Sequence, residues 1–178
     1  MKKIVLLLIL VSAVLFTAGC TEETPGDSAG SDGAENSGEN LVVEVSDLEQ
    51  INEALAEGPV FLKLGAEWCT PCKEMKPIMA EMALEYEGRA TIMSVDVDES
   101  QHLAAYFNVG YIPDSCVIAG LENGNYLYTQ QDGSLTEDRM QARMIGLREK
   151  EAFEARLELA LAQTEESEIE GQNQTVTG

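Results

Sequence analysis

The sequence predicts a mixed α/β fold with one central sheet and helices on both of its faces. Three β-rich runs, at 41–45, 60–64 and 90–97, are each followed by a segment that is predicted to be helical. A fourth β-rich run follows Gly110, and Asn-Gly then occurs within 122–125. Asn-Gly between two such runs is a strong hairpin signal. The predicted order is therefore β-α-β-α-β-α-β-β-α, a parallel part followed by a hairpin.

The first helix is predicted to begin at a capping box. Ser46, with Glu49 three residues later, fits that pattern. The apolar residues that recur at helical spacing after it are Leu48, Ile51 and Leu55. Gly58 and Pro59 end the helix, and the nearly continuous apolar run at 60–64 is typical of a strand buried on both faces.

The second helix begins at a pair of cysteines, Cys69 and Cys72. Its predicted apolar side is formed by Met75, Ile78, Met79, Met82 and Tyr86. Pro77 lies inside this pattern, which predicts a kink. A strand at 90–97 and a short helix from Ser100 to Phe107 follow.

The C-terminal part begins with a return strand at 126–130. We interpret 131–138 as an inserted loop and 139–145 as an extended segment. The residues that alternate to one side of that segment are Met140, Ala142 and Met144. Gly146 interrupts any helix there, so the last helix is predicted from Arg148 to Gln163. Its apolar stripe consists of Phe153, Leu157, Ala160 and Leu161.

The N-terminus is typical of an export signal covering residues 1–19. Lys2 and Lys3 precede an apolar run from Ile4 to Phe16, which is short for a membrane span of about 20 residues. The "TAGC" that follows resembles the lipobox of bacterial and archaeal lipoproteins, in which the cysteine, here Cys20, becomes the lipidated first residue. An uncleaved signal anchor and a secreted soluble form are the alternatives. All three place the rest of the chain outside the cytoplasm.

Composition divides the rest of the chain into three parts. Residues 20–40 consist of the lipidated cysteine and a stretch without any large apolar residue, which we expect to be a disordered acidic tether. Residues 41–163 suffice for one compact domain with one core. The polar, acidic stretch 164–178 predicts a disordered tail. A net charge of −21 argues against nucleic acid and anionic lipid headgroups as partners.

The Cys-x-x-Cys pair is compatible with three kinds of site. A structural zinc site needs four ligands, and the remaining thiols and imidazole belong to Cys20, Cys116 and His102. A structural disulfide across so short a loop removes little entropy from the unfolded chain, because the stabilisation grows with loop length. The position of the pair favours the third kind, a dithiol that cycles between reduced and oxidised forms.

The start of a helix suits a reactive thiol. The free N–H groups and partial positive charge at a helix N-terminus favour a thiolate at Cys69, and the thiolate is the attacking species in disulfide exchange. Cys72, one helical turn later, is placed to resolve the mixed disulfide. We expect Cys116 to be a buried apolar residue and His102 to be exposed.

Two stretches carry a resemblance to a known family. "FLKLGAEWCTPCKEMKPIMAEMALEY" at 61–86 resembles the active-site strand and helix of thioredoxins. "VGYIPDSCVI" is similar to the cis-proline loop of that family, with Pro113 in the proline position and Ile112 before it. The order of elements from Leu41 to Gln163 agrees with the same fold.

The resemblance implies a thioredoxin fold and thiol–disulfide exchange, with no metal and no cofactor other than the redox-active disulfide. Cys69 is then the nucleophile and Cys72 the resolving thiol. Trp68 is implied as a flanking cover of the pair. Ile112 and Pro113 are implied as the dock for an extended segment of substrate.

One position departs from the family pattern. Thioredoxins usually carry a buried aspartate on the strand before the motif, as a proton acceptor for the resolving cysteine, and this chain has Lys63 there. A charged lysine favours a nearby thiolate, whereas burial favours the neutral amine. Glu67, next to Trp68, is the second candidate for tuning the pKa of the pair.

The expected function is that of an extracytoplasmic, lipid-anchored thiol–disulfide oxidoreductase. Proline between the cysteines, at Pro71, is the pattern of the reducing branch, so we expect reduction of disulfides in exported proteins. Such a protein needs a membrane electron donor or acceptor. The alternative is a non-catalytic binding module that keeps the fold and holds a partner at the loop of Pro113.

Overall fold

A computed structural model describes the backbone of residues 41–175 and the side chains of residues 41–164. The predicted signal peptide at 1–19, the lipidation site Cys20 and the tether up to residue 40 lie outside the described residues. None of the helices within the described part of the chain has the length and apolar character needed to cross a membrane.

The described residues form seven strands and five helices. The strands are β1 Val43–Glu44, β2 Val60–Gly65, β3 Thr91–Asp96, β4 Asp114–Glu122, β5 Asn125–Thr129, β6 Leu135–Thr136 and β7 Met144–Ile145. The helices are α1 Leu48–Leu55, α2 Thr70–Glu85, α3 Gln101–Tyr106, α4 Arg139–Ala142 and α5 Lys150–Thr175. The predicted α/β class, with a parallel part followed by a hairpin, is confirmed.

All seven strands belong to one sheet. Its order is β1-β3-β2-β4-β5-β6, and β7 pairs with the beginning of β4. Strands β1, β3 and β2 run parallel to one another, and the remaining pairs are antiparallel. Strand β2 is therefore central and hydrogen-bonded on both edges, which explains its nearly continuous apolar run.

Helices cover both faces of the sheet and divide the core in two. Val60, Leu62 and Leu64 of β2 belong to the cluster that includes residues of α1 and α3. Phe61, on the opposite face, belongs to the cluster formed with α2 and α5, and its ring meets that of Phe153 edge to face at 5.3 Å. Side chains alternate along a strand, so residue 63 shares the face of Phe61. That is the face on which α2 lies.

The capping box of α1 lies one residue later than predicted. Asp47 is the N-cap, and its carboxylate accepts a hydrogen bond from the Gln50 N–H at 3.2 Å. The side-chain oxygen of Gln50 accepts from the backbone N–H of Asp47 in return, at 3.1 Å. Ser46 and Glu49 have the same spacing, so the pattern occurs twice and only the structure shows which pair forms the box.

The two segments before α5, 131–138 and 139–145, have more regular structure than predicted. The loop assigned to 131–138 contains β6, and the extended segment assigned to 139–145 begins with the one-turn helix α4. Asp138 caps α4 by accepting from the N–H of Met140 at 3.0 Å. Ala142 and Met144 are buried as predicted, but Met140 is exposed because the helical turn rotates it outward. The alternating apolar pattern was insufficient to exclude a single turn of helix.

The last helix is longer than predicted. It begins at Lys150 rather than Arg148 and continues past Gln163 to Thr175, so the predicted disordered tail begins inside it. No glycine or proline interrupts the sequence between Gln163 and Gly171, and the intervening residues include good helix formers such as glutamate. The predicted apolar stripe is confirmed, since all four residues are buried: Phe153, Leu157, Ala160 and Leu161.

Candidate active site

The two cysteines form a disulfide at the start of α2. Cys69 is the N-cap residue of the helix, and its Cα lies 5.2 Å from that of Cys72. Both sulfur-bearing side chains are largely buried, but Cys69 is 6% exposed and Cys72 only 1%. An incoming reactant therefore has more access to Cys69, as a nucleophile requires. The exposed area of Cys69 is nevertheless small.

The first turn of α2 is arranged to support a thiolate. The backbone N–H of Cys72 donates to the sulfur of Cys69 at 3.3 Å. Pro71 lies within this turn, where its missing N–H breaks no helical hydrogen bond. After reduction, the same N–H and the positive end of the helix favour the ionised form of Cys69.

The cis-proline loop lies beside the end of β2. The Ile112–Pro113 peptide bond is cis, as the resemblance implies. Strand β4 begins one residue later, and its pairing of Asp114 with Leu64 places Pro113 across from Gly65. The carbonyl oxygen of Pro113 accepts from the Gly146 N–H at 2.8 Å. Ile112 precedes the strand, so its backbone is outside the ladder and suited to pairing with a docked chain.

Gly65 allows strand β2 to approach the disulfide closely, and the sequence analysis did not identify it. A Cβ on Gly65 would lie 2.9 Å from the sulfur of Cys72 and 2.7 Å from Cε of Lys63. Neither approach leaves room for a carbon atom. The absence of a side chain therefore lets β2 pass directly beneath the disulfide.

Trp68 is on the surface next to the disulfide. Its side chain is 68% exposed, and the indole Nε1 donates to Asp98 Oδ2 at 2.7 Å. Tyr111, in the cis-proline loop, is 73% exposed. The sequence analysis named neither Asp98 nor Tyr111. Asp98 follows β3, and only the parallel β2–β3 pairing brings the end of that strand to the end of β2.

Comparison with known proteins agrees with this geometry. The family described as Thioredoxin matches residues 42–146 of the chain. The chain belongs to the thioredoxin family. Over 72 residues it is 39% identical to a thioredoxin of Staphylococcus haemolyticus (strain JCSC1435) and 38% identical to one of Staphylococcus aureus (strain N315). Each match covers 40% of this chain and 68% of the relative.

Two solved structures show the same fold. The oxidised form of mitochondrial thioredoxin 3 from Saccharomyces cerevisiae is similar with a TM-score of 0.50 and 21% identity, covering 68% of this chain and 98% of its own. A mutant thioredoxin from Halobacterium salinarum NRC-1 gives a TM-score of 0.50 and 21% identity, covering 67% and 89%. Together with the Cys-x-x-Cys disulfide, family membership identifies the protein as a thiol–disulfide oxidoreductase. The paired sulfurs do not favour the alternative of a non-catalytic binding module.

Lys63 is buried beneath the helix that carries the disulfide. It is 5% exposed, and its Nζ donates to Ser94 Oγ at 3.2 Å. Burial lowers the pKa of its amine, and the carboxylate of Glu44 partly opposes that effect. Lys63 thus lies next to the dithiol, and its amine is more readily neutral there than a lysine amine is in water.

Glu67 occupies a different environment. It is exposed and accepts a hydrogen bond from Lys76 Nζ at 2.7 Å. This bond and the charge of Lys76 lower the pKa of the Glu67 carboxyl. Glu67 therefore stays ionised and is a poor proton acceptor. It lines a cavity of about 360 Å³ together with Lys63 and Lys76.

A buried ion cluster follows the cis-proline. Asp114 is fully buried, and its Oδ2 accepts from Arg139 Nη1 at 3.1 Å and from Arg143 Nη2 at 2.5 Å. Arg139 Nη2 is also 2.8 Å from Asp114 Oδ1, as an ionic contact without the direction of a hydrogen bond. Both arginines belong to the segment 139–145, which was predicted to be extended. They attach α4 and β7 to the residue that follows Pro113.

The remaining candidate residues are not part of the dithiol site. Cys116 is fully buried on β4, where it accepts a hydrogen bond from Arg139 Nε at 3.4 Å, and burial raises the pKa of its thiol. His102 is exposed on α3. The two predictions are confirmed. Within the part of the chain that the structure describes, His, Cys, Asp and Glu side chains form no group of three suited to a metal ion.

Proposed function

We propose that this member of the thioredoxin family is an exported, lipid-anchored protein that reduces disulfides in other exported proteins. The observation that carries the enzymatic part is a disulfide at a helix N-terminus beside a cis-proline loop. The pattern of residues 1–20 supports export and a lipid on Cys20. The acidic stretch that follows Cys20 provides a spacer between the lipid and the folded domain.

The reaction begins with the reduced dithiol. An extended substrate segment pairs with the backbone of Ile112, which brings its disulfide to Cys69. The Cys69 thiolate attacks one substrate sulfur, forms a mixed disulfide and releases the other sulfur as a thiolate. Cys72 then attacks Cys69, which regenerates the Cys69–Cys72 disulfide and releases the second substrate thiol. Two electrons pass from the dithiol to the substrate, and a membrane electron donor restores them.

An insulin-reduction assay with dithiothreitol tests the activity. We expect the full-length chain to accelerate insulin precipitation and Cys69→Ser to abolish this acceleration. Cys116→Ala is the matched control, because it removes a buried thiol outside the site, and its rate should stay within about twofold of wild type. Equal rates for wild type and Cys69→Ser contradict the proposal.

The reduction potential decides the direction of electron flow. A reducing role requires a value near roughly −270 mV, whereas a value near roughly −120 mV is that of a strong oxidant. Equilibration with glutathione buffers, followed through Trp68 fluorescence, gives the potential. A value in the oxidising range contradicts reduction while leaving disulfide exchange intact.

The anchor is tested separately in cells. Metabolic labelling with a radioactive fatty acid should mark the wild-type chain and fail to mark Cys20→Ser. The wild-type chain should also fractionate with membranes and resist extraction with salt. Labelling that persists in Cys20→Ser places the lipid elsewhere and contradicts the proposed anchor.

A further inference from the structure

Four polar residues form a row across the sheet beneath α2. Strand register pairs Glu44 of β1 with Ser94 of β3, Ser94 with Lys63 of β2, and Lys63 with Ser115 of β4. Paired residues point to the same face, so all four side chains share the face of Phe61. The row begins at the exposed sheet edge with Glu44 and continues inward to the fully buried Ser115.

The row passes next to the resolving cysteine. The position that a Cβ of Gly65 would occupy is 3.0 Å from Lys63 Nζ and 2.9 Å from Cys72 Sγ. The amine and the sulfur are therefore no farther apart than the sum of these distances. One bridging water, or a rotation about the last bonds of the lysine, brings the amine to the thiol proton.

The surroundings of Lys63 contain charges of both signs. Burial is the main influence and lowers the pKa of the amine. The carboxylates that face it and raise this pKa are Glu44, Glu67 and Asp96, and the Lys76 ammonium lowers it. These groups come from β1, α2, β3 and the loop after β2. The amine is therefore able to exchange a proton nearer to neutral pH than a lysine in water.

A cavity connects this amine to the outside. Its walls include Lys63, Ser94 and Glu44, and its volume is about 360 Å³. That volume is large enough for water molecules. Desolvation raises the pKa of the Glu44 carboxyl, so this group too can take up a proton at a higher pH than in water. A proton that leaves the amine thus has a polar route to solvent.

We propose that Lys63 accepts the proton of the Cys72 thiol during resolution of the mixed disulfide, and that the proton then leaves along the cavity past Glu44. This inference rests on the proposed dithiol activity. Glu67 is the competing acceptor nearby, and its ion pair with Lys76 makes it the weaker base. Lys63 Nζ donates to Ser94 Oγ, and donation leaves the lone pair of the neutral amine available to accept a proton.

Resolution of the mixed disulfide by Cys72 accounts for every proton and electron. The neutral Lys63 amine takes the proton from Cys72, which becomes a thiolate. That thiolate attacks the sulfur of Cys69, the bond between Cys69 and the substrate breaks, and the Cys69–Cys72 disulfide forms. The departing substrate sulfur leaves as a thiolate and takes up a proton from solvent, while the Lys63 ammonium returns its proton through the cavity.

The test separates the two chemical steps with dithionitrobenzoate. The reduced full-length chain, carrying Cys20→Ser so that this thiol does not react, is mixed with the reagent in a stopped-flow spectrometer. The first release of thionitrobenzoate reports the attack by Cys69, and the second reports resolution by Cys72. Cys72→Ser should give the first release alone, which identifies the phases and shows how little the buried Cys116 contributes.

Two substitutions distinguish a base from a fixed charge. Lys63→Met removes the amine, and we expect the second phase at neutral pH to slow at least about tenfold, with the first phase within about twofold of wild type. At alkaline pH, where the Cys72 thiol ionises unaided, the two chains should converge. Lys63→Arg keeps a positive charge that cannot be neutralised, and we expect it to be as slow as Lys63→Met.

Glu44→Gln provides a second measurement on an exposed edge position. The Glu44 carboxylate stabilises the Lys63 ammonium, so removing it should lower the pKa of the amine further. The acidic limb of the pH–rate profile of the second phase should therefore move to lower pH. In the Lys63→Met background, Glu44→Gln should produce no such shift.

Three results overturn the proposal: an unchanged second phase in Lys63→Met, a wild-type rate in Lys63→Arg, or an unmoved acidic limb in Glu44→Gln. A normal first phase in the same traces shows that disulfide exchange survives. Failure of the Lys63 assignment is thereby distinguished from failure of the proposed function.

Discussion

Neutralising the carboxylate that follows the cis-proline should destabilise this protein strongly. Asp114 is fully buried and balances two guanidinium groups, those of Arg139 and Arg143, whose side chains are 7% and 12% exposed. Asp114→Asn keeps the shape of the side chain and one oxygen acceptor, but it removes the negative charge. Two cations then remain close together in a poorly solvated position.

The expected cost follows from this burial. Removing one partner of a buried ion pair costs about 3–5 kcal/mol, because the remaining charge is uncompensated. Arg143 is at the edge of the cluster and can turn toward solvent, whereas Arg139 also donates to the carbonyl oxygen of Phe107 at 2.8 Å and is held in place. We therefore expect the lower end of the range, about 3 kcal/mol, with a fall in Tm of about 10 °C.

Urea unfolding of the oxidised chain, followed by circular dichroism, measures this cost. Arg143→Met is the matched control, because Asp114 keeps its pairing with Arg139, and we expect it to cost less than half as much as Asp114→Asn. A loss below about 1 kcal/mol for Asp114→Asn refutes the reasoning. An equal loss in the two variants refutes it as well, since the cluster then does not depend on its single anion.

Two further predictions concern the residues around the disulfide. Gly65→Ala places a methyl group against Cys72 Sγ and Lys63 Cε, so we expect a loss of about 1–3 kcal/mol in the free energy of unfolding, measured in urea; an unchanged value contradicts the tight approach. Lys63→Met should unfold at higher urea than wild type at neutral pH. A lysine whose folded-state pKa is lowered destabilises the fold fully below that pKa, and this penalty disappears as pH rises to its unfolded value of 10.5. The advantage of Lys63→Met should therefore shrink as pH approaches 10.5, and a gap that stays constant with pH contradicts the burial of a titrating amine.

Local patterns were sufficient for most of the elements. The run at 60–64 predicted a strand buried on both faces, and β2 is central in the sheet. Failures occurred where one pattern fits two structures. The i, i+3 spacing of a capping box begins at both Ser46 and Asp47, and the alternation within 139–145 also fits one helical turn followed by a strand. In each case, side-chain hydrogen bonds selected the outcome, and these depend on backbone placement that a local pattern does not contain.

The chemistry of the dithiol was predicted from the sequence, because the features that determine it are close together in the chain. They are Cys69, Cys72 and the helix that begins between them. The network around the dithiol was not predicted. Glu44, Ser94 and Ser115 meet Lys63 only through strand register. Arg139 and Arg143 reach Asp114 only because the segment 139–145 folds back over the beginning of β4. A sequence specifies the residue types and their local conformations. The tertiary structure decides which distant side chains become buried together, because strand pairing and helix packing remove them from water. It therefore also decides which of their charges and protons are coupled.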